Sequence, residues 1–190
     1  MLSYPMTIAG IDRALPICPL NENLAIGAFV IFGDPELTTA AADALLKLAP
    51  AYDYIITAEA KGIPLAHEMA RLAGNQKYFV ARKKAKAYMS SGVFEVKLQS
   101  ITTAGQQSLF LDKADVDLIK GSRILIVDDV ISTGESLRAM EELVKAAGGN
   151  IVGKMAILAE GDAQIRDDII YLEKLPLFHP DGTVMEGTIH

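Results

Sequence analysis

The sequence predicts a single α/β domain with a mainly parallel, twisted sheet flanked by helices, and three observations support this. Short apolar runs alternate along the chain with segments whose apolar residues recur at helical spacing, which is typical of this class. Several of these runs, Tyr54–Ala58 among them, are short and rich in β-branched residues, as buried strands are. Apolar residues make up 51% of the 190 residues, which is enough for one sizeable core.

The first half of the chain contains two predicted strand and helix pairs. Asp34 and Pro35 have the features of an N-cap and a first helical residue, and the apolar stripe that follows ends with Leu48. After the strand Tyr54–Ala58 and a turn, Pro64–Ala73 predicts a helix closed by Gly74. Tyr78–Ala81 then predicts a second strand.

The second half predicts a polar excursion and one further unit of strand, helix and strand. Residues 84–111 are polar and partly alternating, which predicts a mobile hairpin. Arg123–Val127 is the clearest strand in the chain. We expect a loop over Asp128–Glu135, a helix over Ser136–Ala147 and a strand over Ile151–Leu158, whereas the pattern beyond 160 is weak.

Composition and charge exclude several classes of function. A net charge of −6 argues against broad nucleic-acid binding, although the basic cluster Arg82–Lys86 still allows a small phosphorylated ligand. No apolar run reaches membrane-spanning length, and the first ten residues lack the pattern of a signal peptide. Cys18 is the only cysteine, which suits a reducing compartment. We therefore expect a cytoplasmic protein that binds neither nucleic acid nor membrane.

The most informative segment runs from Ile124 to Ser136. Its apolar residues lead to two adjacent acids, Asp128 and Asp129 (the acid pair), at the carboxyl end of a strand, where open α/β sheets bind ligands. Ser132–Ser136 (the anion turn) then carries hydroxyls around a glycine into a helix N-terminus. Backbone N–H groups and the positive end of the helix dipole make such a turn an anion site.

Together the acid pair and the anion turn fit a phosphorylated ribose. Two carboxylates suit sugar hydroxyls or a hydrated divalent cation, and the turn suits a phosphate. The alternative interpretation is a pair of solvated strand-end acids followed by an ordinary capping turn. The segment is not a Walker-type loop, because the spacing of that motif is absent and acids precede the turn.

The run Val127–Ser136 resembles the phosphoribosyl-pyrophosphate signature of the type I phosphoribosyltransferases at every defining position. The resemblance implies that the acid pair holds the ribose hydroxyls and that the anion turn grips the 5′-phosphate. The residues it assigns to ribose 5-phosphate are Asp128, Asp129, Val130, Ile131, Ser132, Thr133, Gly134, Glu135 and Ser136.

Two other segments resemble pyrophosphate-binding parts of the family. Residues Glu59-Ala60-Lys61-Gly62 (the Glu59 loop) look like a loop of adenine phosphoribosyltransferases, with Lys61 in place of arginine. Arg82 and Lys83, with Lys86 beside them, look like the family's basic residues for pyrophosphate. The resemblance implies catalytic roles for Asp128, Asp129, Arg82 and Lys83, and closure of a loop over residues 84–105 that excludes water. The alternatives are a plain strand-to-helix turn and a solvated basic face.

The resemblance covers residues 25–160 well and implies a core there, with a small hood from residues 1–24 and 160–190. The hood sets base specificity in this family. We expect Leu20 and Asn21, together with the segment around Glu160, to contribute to it. Residues 98–105 lack the glutamate of classical adenine enzymes and look more like the loop of xanthine enzymes and purine-operon regulators.

The activity that the resemblance implies is transfer of phosphoribose from phosphoribosyl pyrophosphate to a purine base, with adenine the first choice. Xanthine or guanine as the base, a non-catalytic sensor of phosphoribosyl pyrophosphate, and a pyrimidine enzyme of the same fold are the alternatives. The resemblance also implies Mg²⁺, held mainly by substrate and water, and a homodimer. The histidines show no metal-ligand spacing.

Overall fold

The computed structural model describes residues 2–99 and 106–189 of the chain. In chain order its elements are β1 (Ser3–Ile8), β2 (Ile11–Pro19), β3 (Ala25–Gly27), α1 (Pro35–Leu46), β4 (Tyr54–Ala58), α2 (Ile63–Ala73), β5 (Phe79–Ala81), β6 (Val93–Gln99), β7 (Gln106–Asp112), α3 (Lys113–Ile119), β8 (Arg123–Ile131), α4 (Glu135–Ala146), β9 (Asn150–Glu160), a 3₁₀ helix (Gly161–Ile165), β10 (Ile170–Leu175) and β11 (Leu177–Phe178).

Five strands form a parallel sheet in the order β10-β9-β8-β4-β5, which confirms the predicted fold class. The chain moves outward from β4 to β5 and then returns to the other side of β4 to form β8. The strand order therefore reverses between β4 and β8. A reversal of this kind opens a crevice at the carboxyl ends of the two strands, and ligands bind there in open α/β sheets.

The central strand β8 packs against a different helical layer on each face. Ile124 and Ile126 belong to the core cluster that includes Leu143 of α4, whereas Leu125 and Val127 belong to the cluster built with α1 and α2. Successive side chains of a strand point to opposite faces, so this four-residue run is apolar throughout because both of its faces are covered. The same packing holds α4, and with it the anion turn, against the end of β8.

A second, antiparallel sheet in the order β1-β2-β3-β11 joins the two ends of the chain, as the predicted hood does. It is tied to the central layer by Arg13, whose Nε lies 2.7 Å from Asp34 Oδ2 and whose Nη2 lies 2.8 Å from Glu36 Oε2. Asp34 is also the N-cap of α1 and accepts a hydrogen bond from the Leu37 N–H, as predicted. β3 lies in the hood sheet and β10 in the central sheet, on the opposite sides of the predicted boundaries at 25 and 160.

The polar excursion contains the predicted hairpin, formed by β6 and β7. The second strand of this hairpin, β7, packs against the core. Leu109 and Leu111 are buried, and Phe110 forms a β-bridge with Arg82 beside β5. The predicted closing loop falls partly on residues 100–105, which lie outside the described residues. The predicted mobility of this segment stays a prediction.

Most element boundaries differ from the sequence prediction by one or two residues, and two differ by more or change a residue's environment. The loop predicted over Asp128–Glu135 is wrong for its first half, because β8 continues to Ile131, paired along its length with the longer strand β9. Leu48, placed in the apolar stripe of α1, lies beyond the helix and is 52% exposed. The short helix α3 was not predicted, since its sequence has little helical periodicity. None of the described helices combines the length and the apolar character needed to cross a membrane.

Removal of the Leu143 side chain tests whether α4 is held by the central sheet. Leu143 is fully buried, so Leu143→Ala leaves a cavity and should lower the free energy of unfolding by about 2–5 kcal/mol. Urea denaturation followed by circular dichroism measures the change. The exposed Leu48 provides the matched control, and Leu48→Ala should stay within about 0.5 kcal/mol of the wild type. Equal effects of the two substitutions would contradict this account of the core.

Candidate active site

The loops that follow β4 and β8 meet at the reversal of strand order. Lys61, in the Glu59 loop, donates a hydrogen bond of 2.6 Å from its Nζ to Oδ2 of Asp129. Asp129 is only 3% exposed, whereas nearly half of the Lys61 side chain is accessible. Lys61 Nζ also lies 3.5 Å from the carbonyl oxygen of Phe29, in the segment that connects the hood to α1. One ammonium group thus connects the Glu59 loop, the acid pair and the end of the hood.

Gly62 allows the close approach of these loops because it has no side chain. A Cβ atom at this position would stand 2.2 Å from Thr57 Oγ1 and 3.1 Å from Asp128 Oδ1. Its φ of −70° is an ordinary value, so the requirement for glycine comes from space and not from backbone conformation. Gly62 also precedes α2 directly. The start of that helix is consequently held against the acid pair.

Burial raises the pKa of two carboxyls at this edge of the sheet. Burial raises the pKa of Asp128 to about 7; the negative charge of Asp129 adds to the rise and the Lys61 ammonium opposes it. Burial also raises the pKa of Glu160, at the end of β9, while a hydrogen bond from Ser132 and the charge of Lys61 oppose the shift. The Lys61 ammonium therefore acts on three carboxyls, those of Asp128, Asp129 and Glu160. Strongly shifted carboxyls in a crevice are typical of functional sites.

The anion turn surrounds a cavity of about 100 Å³ at the N-terminus of α4. Gly134 is the residue before the helix and has a φ of 82°, a left-handed conformation that favours glycine. The side chains and backbone that line the cavity include most of the predicted phosphate-binding residues. They are Asp128, Val130, Ile131, Ser132, Thr133, Gly134, Ser136 and Leu137. Glu135 forms the first residue of the helix. The turn, the helix end and the hydroxyls therefore converge as an anion site requires.

The predicted pyrophosphate-binding residues also come together, at the ends of the paired strands β4 and β5. The Glu59 carboxylate accepts a hydrogen bond from the Lys83 N–H, and its Oε2 lies 2.9 Å from Arg82 Nε. That nitrogen is shielded from solvent, although its N–H bond is not aligned with the carboxylate. The Glu59–Ala60 peptide bond is cis. Lys86 follows in the same loop, where its carbonyl accepts a hydrogen bond from Met89.

Leu20 and Asn21 lie in the turn between β2 and β3, where Leu20 N donates to Leu24 O. The strand β3 and the residue after it separate this turn from Phe29, which contacts Lys61. The sequence did not single out Phe29, whereas Glu160, which it did, is affected by the charge of the same Lys61. The role of Leu20 and Asn21 in base recognition stays a prediction.

The sequence analysis missed the apolar segment 29–32. Phe29 and Ile31 are buried, whereas the alternate side chains of Val30 and Phe32 are 56% and 51% exposed. Val30 directly follows the carbonyl that contacts Lys61, so the segment presents apolar surface beside the acid pair. The only sequence signal for this segment is a short run of large apolar residues just before the Asp34 cap. The run is too short to show a helical or a strand period.

The described part of the chain contains no group of three or more histidine, cysteine, aspartate or glutamate side chains arranged to hold a metal ion. The acid pair nevertheless offers hard oxygen donors of the kind that Mg²⁺ accepts together with water and substrate oxygens. One of the two carboxylates is already bonded to Lys61. The donor set thus fits a magnesium ion brought in by a phosphorylated ligand better than a permanently bound one.

The chain matches the family model described as "Phosphoribosyl transferase domain" over residues 36–177. This match begins in α1 and ends at β11, so it includes every element of the central sheet and both loops of the site.

The curated relatives of this chain include two purine phosphoribosyltransferases. A hypoxanthine/guanine phosphoribosyltransferase of Methanosarcina mazei is 31% identical over 134 residues, which cover 70% of this chain and 66% of the relative. This chain thus spans just under two thirds of the length of that relative. A xanthine phosphoribosyltransferase of Clostridioides difficile is 29% identical over 138 residues, covering 70% of this chain and 72% of the relative.

Solved structures with the same fold include an adenine phosphoribosyltransferase from Thermoanaerobacter pseudethanolicus. Its TM-score is 0.67 at 23% identity, and the superposition covers 84% of this chain and 95% of the other. At this identity the likeness supports the fold class alone.

The space around Gly62 can be tested by a double-mutant cycle. Gly62→Ala places a methyl group against Thr57 Oγ1 and should lower the free energy of unfolding by about 1–3 kcal/mol. Thr57→Ala removes that oxygen, so the double variant should recover much of the loss. Thermal and urea denaturation of both single variants and the double variant measure the coupling. Additive effects would show that Thr57 does not limit the space at Gly62.

The raised pKa of Asp128 predicts how stability depends on pH. In the unfolded chain this carboxyl ionises near its ordinary value of 3.8, whereas in the folded protein it stays protonated up to about 7. The folded state therefore binds the extra proton, and its stability falls as pH rises through this window.

Asp128→Asn removes that proton uptake. Between about pH 4 and about pH 8, the wild type should lose more free energy of unfolding than the variant, by more than about 1 kcal/mol. Urea denaturation at a series of pH values gives both curves. Parallel curves would contradict the assigned pKa shift. The rise in the pKa of Glu160 affects both proteins alike and does not alter the comparison.

Proposed function

Since the chain belongs to the phosphoribosyltransferase family, we propose that it transfers phosphoribose from phosphoribosyl pyrophosphate to a purine base and releases pyrophosphate. The observation that carries the proposal is the meeting of the acid pair, the Glu59 loop and the anion turn at one edge of the sheet. The names of relatives at 31% and 29% identity, which are purine enzymes, support a purine as the acceptor.

In this proposal the anion turn binds the 5′-phosphate and the acid pair accepts hydrogen bonds from the ribose hydroxyls. The backbone N–H groups before α4 and the hydroxyls of Thr133 and Ser136 are the donors available to a phosphate, and the Ser132 hydroxyl joins them when it releases Glu160. A ribose placed above the phosphate would put its anomeric carbon near the Glu59 loop. Positive charge that develops on the ribose in the transition state is then stabilised by the nearby carboxylates.

The pyrophosphate leaving group is assigned to Arg82, Lys83, Lys86 and the Glu59 loop. Lys61 Nζ is bonded to Oδ2 of Asp129, so a ribose hydroxyl that uses this oxygen competes with Lys61 for it. An incoming pyrophosphate offers Lys61 a stronger anionic partner on its accessible side. Lys61 would thereby pass from the acid pair to the leaving group as the substrate binds.

Magnesium is the cofactor that this chemistry implies. The acid pair would hold the ion jointly with substrate oxygens and water, and the ion would neutralise part of the charge on pyrophosphate. The fit rests on the hard oxygen donors of Asp128 and Asp129. Lys61 and the basic cluster contribute fixed positive charge in the same region.

Two observations favour different purine bases. The Glu59 loop resembles that of adenine enzymes, and adenine is our first candidate. The sequence relatives that carry names for hypoxanthine, guanine or xanthine favour a 6-oxopurine, which is the second candidate. Either ring could lie against the exposed apolar surface of Val30 and Phe32, because aromatic bases bury well on such side chains. The homodimer implied by the family resemblance remains part of the proposal.

Pyrophosphate release measures the proposed reaction directly. The protein is mixed with Mg²⁺ and phosphoribosyl pyrophosphate, and adenine, hypoxanthine, guanine or xanthine is added separately. Release with one base identifies both the reaction and the substrate. Asp129→Asn should then lower kcat/KM by roughly 100-fold or more, because it removes a buried charge that faces the reacting ribose.

Asp117→Asn is the matched control for this measurement, since Asp117 is an exposed residue of α3 away from both loops. Its activity should equal that of the wild type. If no base leads to pyrophosphate release, calorimetry measures whether phosphoribosyl pyrophosphate binds. Binding without release from any base would support the sensor alternative, whereas absence of both would refute the proposal.

A further inference from the structure

An arginine from outside the anion turn lies directly over its glycine. Arg166 follows the 3₁₀ helix Gly161–Ile165, and its Nη1 stands 2.7 Å from the position that a Cβ atom on Gly134 would occupy. Gly134 is the same residue that lines the cavity of the anion turn and precedes α4. The guanidinium group is therefore packed against the backbone of the turn.

The guanidinium is held in place by its other nitrogens. Nε and Nη2 each donate a 2.8 Å hydrogen bond to Asp168, one to each carboxylate oxygen. Asp168 also accepts from Lys154 Nζ, and Lys154 in turn donates to Glu141 Oε1 at 2.8 Å. Lys154 belongs to β9 and Glu141 to α4. The network thus fixes Arg166 to the two elements that stand next to the anion turn.

The third nitrogen of the guanidinium group, Nη1, takes no part in this network. Within residues 2–99 and 106–189, it donates no hydrogen bond to a protein acceptor, and the bidentate pair with Asp168 directs it toward Gly134. Two-thirds of the side chain is buried, so the charge is only partly screened by water. Arginine presents donors in a rigid plane that suits phosphate oxygens.

We infer that Arg166 is a further ligand of the anion turn and contributes a charged donor to the 5′-phosphate of the bound substrate. The inference rests on the proposed function and adds a cationic side chain to a site otherwise built from backbone N–H groups and hydroxyls. Asp168 and Lys154 act as positioning residues that set the direction of the guanidinium. The ligand class is a sugar phosphate whose dianionic phosphate sits in the turn.

The test separates the 5′-phosphate from the pyrophosphate. Calorimetry measures the Kd of ribose 5-phosphate and, separately, that of Mg²⁺-pyrophosphate, for the wild type and for Arg166→Met. Loss of one charged hydrogen bond at a partly exposed position should weaken ribose 5-phosphate by roughly three- to tenfold. Pyrophosphate should bind as before, because its assigned residues lie at the ends of β4 and β5. Arg166→Lys keeps the charge but loses the bidentate pair, and its Kd should fall between the two.

Arg138→Met is the matched control. Arg138 lies on α4, one turn beyond Gly134, and forms an ion pair with Glu142 at 3.1 Å on the exposed side of the helix. The substitution removes the same charge as Arg166→Met, from the helix that follows the anion turn, so a general change in net charge would affect both variants equally. We expect Arg138→Met to leave the Kd of ribose 5-phosphate unchanged.

Several outcomes would overturn the inference. Equal affinity of the wild type and Arg166→Met for ribose 5-phosphate would show that Nη1 does not reach the ligand. A parallel loss for both ligands, with a lower melting temperature, would assign Arg166 a purely structural role. If the wild type itself binds neither ribose 5-phosphate nor phosphoribosyl pyrophosphate, the proposed function fails instead. The two failures are therefore distinguishable in one experiment.

Discussion

The close approach of the Glu59 loop to the acid pair is the constraint on which the rest of the site depends. Gly62 stands so near Thr57 and Asp128 that any side chain would collide with them, and Lys61 beside it forms an ion pair with Asp129. This approach exists because β4 and β8 are neighbours with the strand order reversing between them. The two loops leave the sheet on either side of the crevice. Gly62 lets them approach each other, and Lys61 connects them through its ion pair with Asp129.

Three acidic side chains meet at this edge of the sheet. Burial favours protonation of Asp128 and Glu160, and Lys61 supplies an ammonium that counters all three carboxyls. In the proposed function, sugar hydroxyls and Mg²⁺ would satisfy these buried carboxyls when the substrate binds.

Two charged networks outside the acid pair attach the hood and the segment after the 3₁₀ helix to the central layers of the fold. Arg13 joins the hood to the N-cap of α1, and Arg166 with Lys154 joins the segment after the 3₁₀ helix to β9 and α4. Both networks lie next to a segment that faces the site: residues 29–32 in one case and the anion turn in the other. The hood and the C-terminal segment are thereby positioned relative to the acids, although neither belongs to the central part of the sheet.

The local sequence determined the elements whose signal is contained in a few consecutive residues. The Asp34 cap, the strand Tyr54–Ala58 and the apolar run before the acid pair all formed as predicted, because capping, β-branching and burial on both faces act over short distances. The predicted residues of the anion turn also converge on one cavity. They were predictable because a single continuous segment carries them.

The tertiary structure alone decided which distant residues meet. The contact of Lys61 with Asp129 spans 68 residues of sequence, and that of Arg166 with Gly134 depends on a turn after β9. The end of β8 was misjudged because its extension requires β9 as a partner, and a partner strand leaves no mark in the sequence of its neighbour. Phe29 and Val30 were missed for the same reason. Their position beside the acid pair follows from how the hood sheet packs on α1, a long-range arrangement that no local pattern encodes.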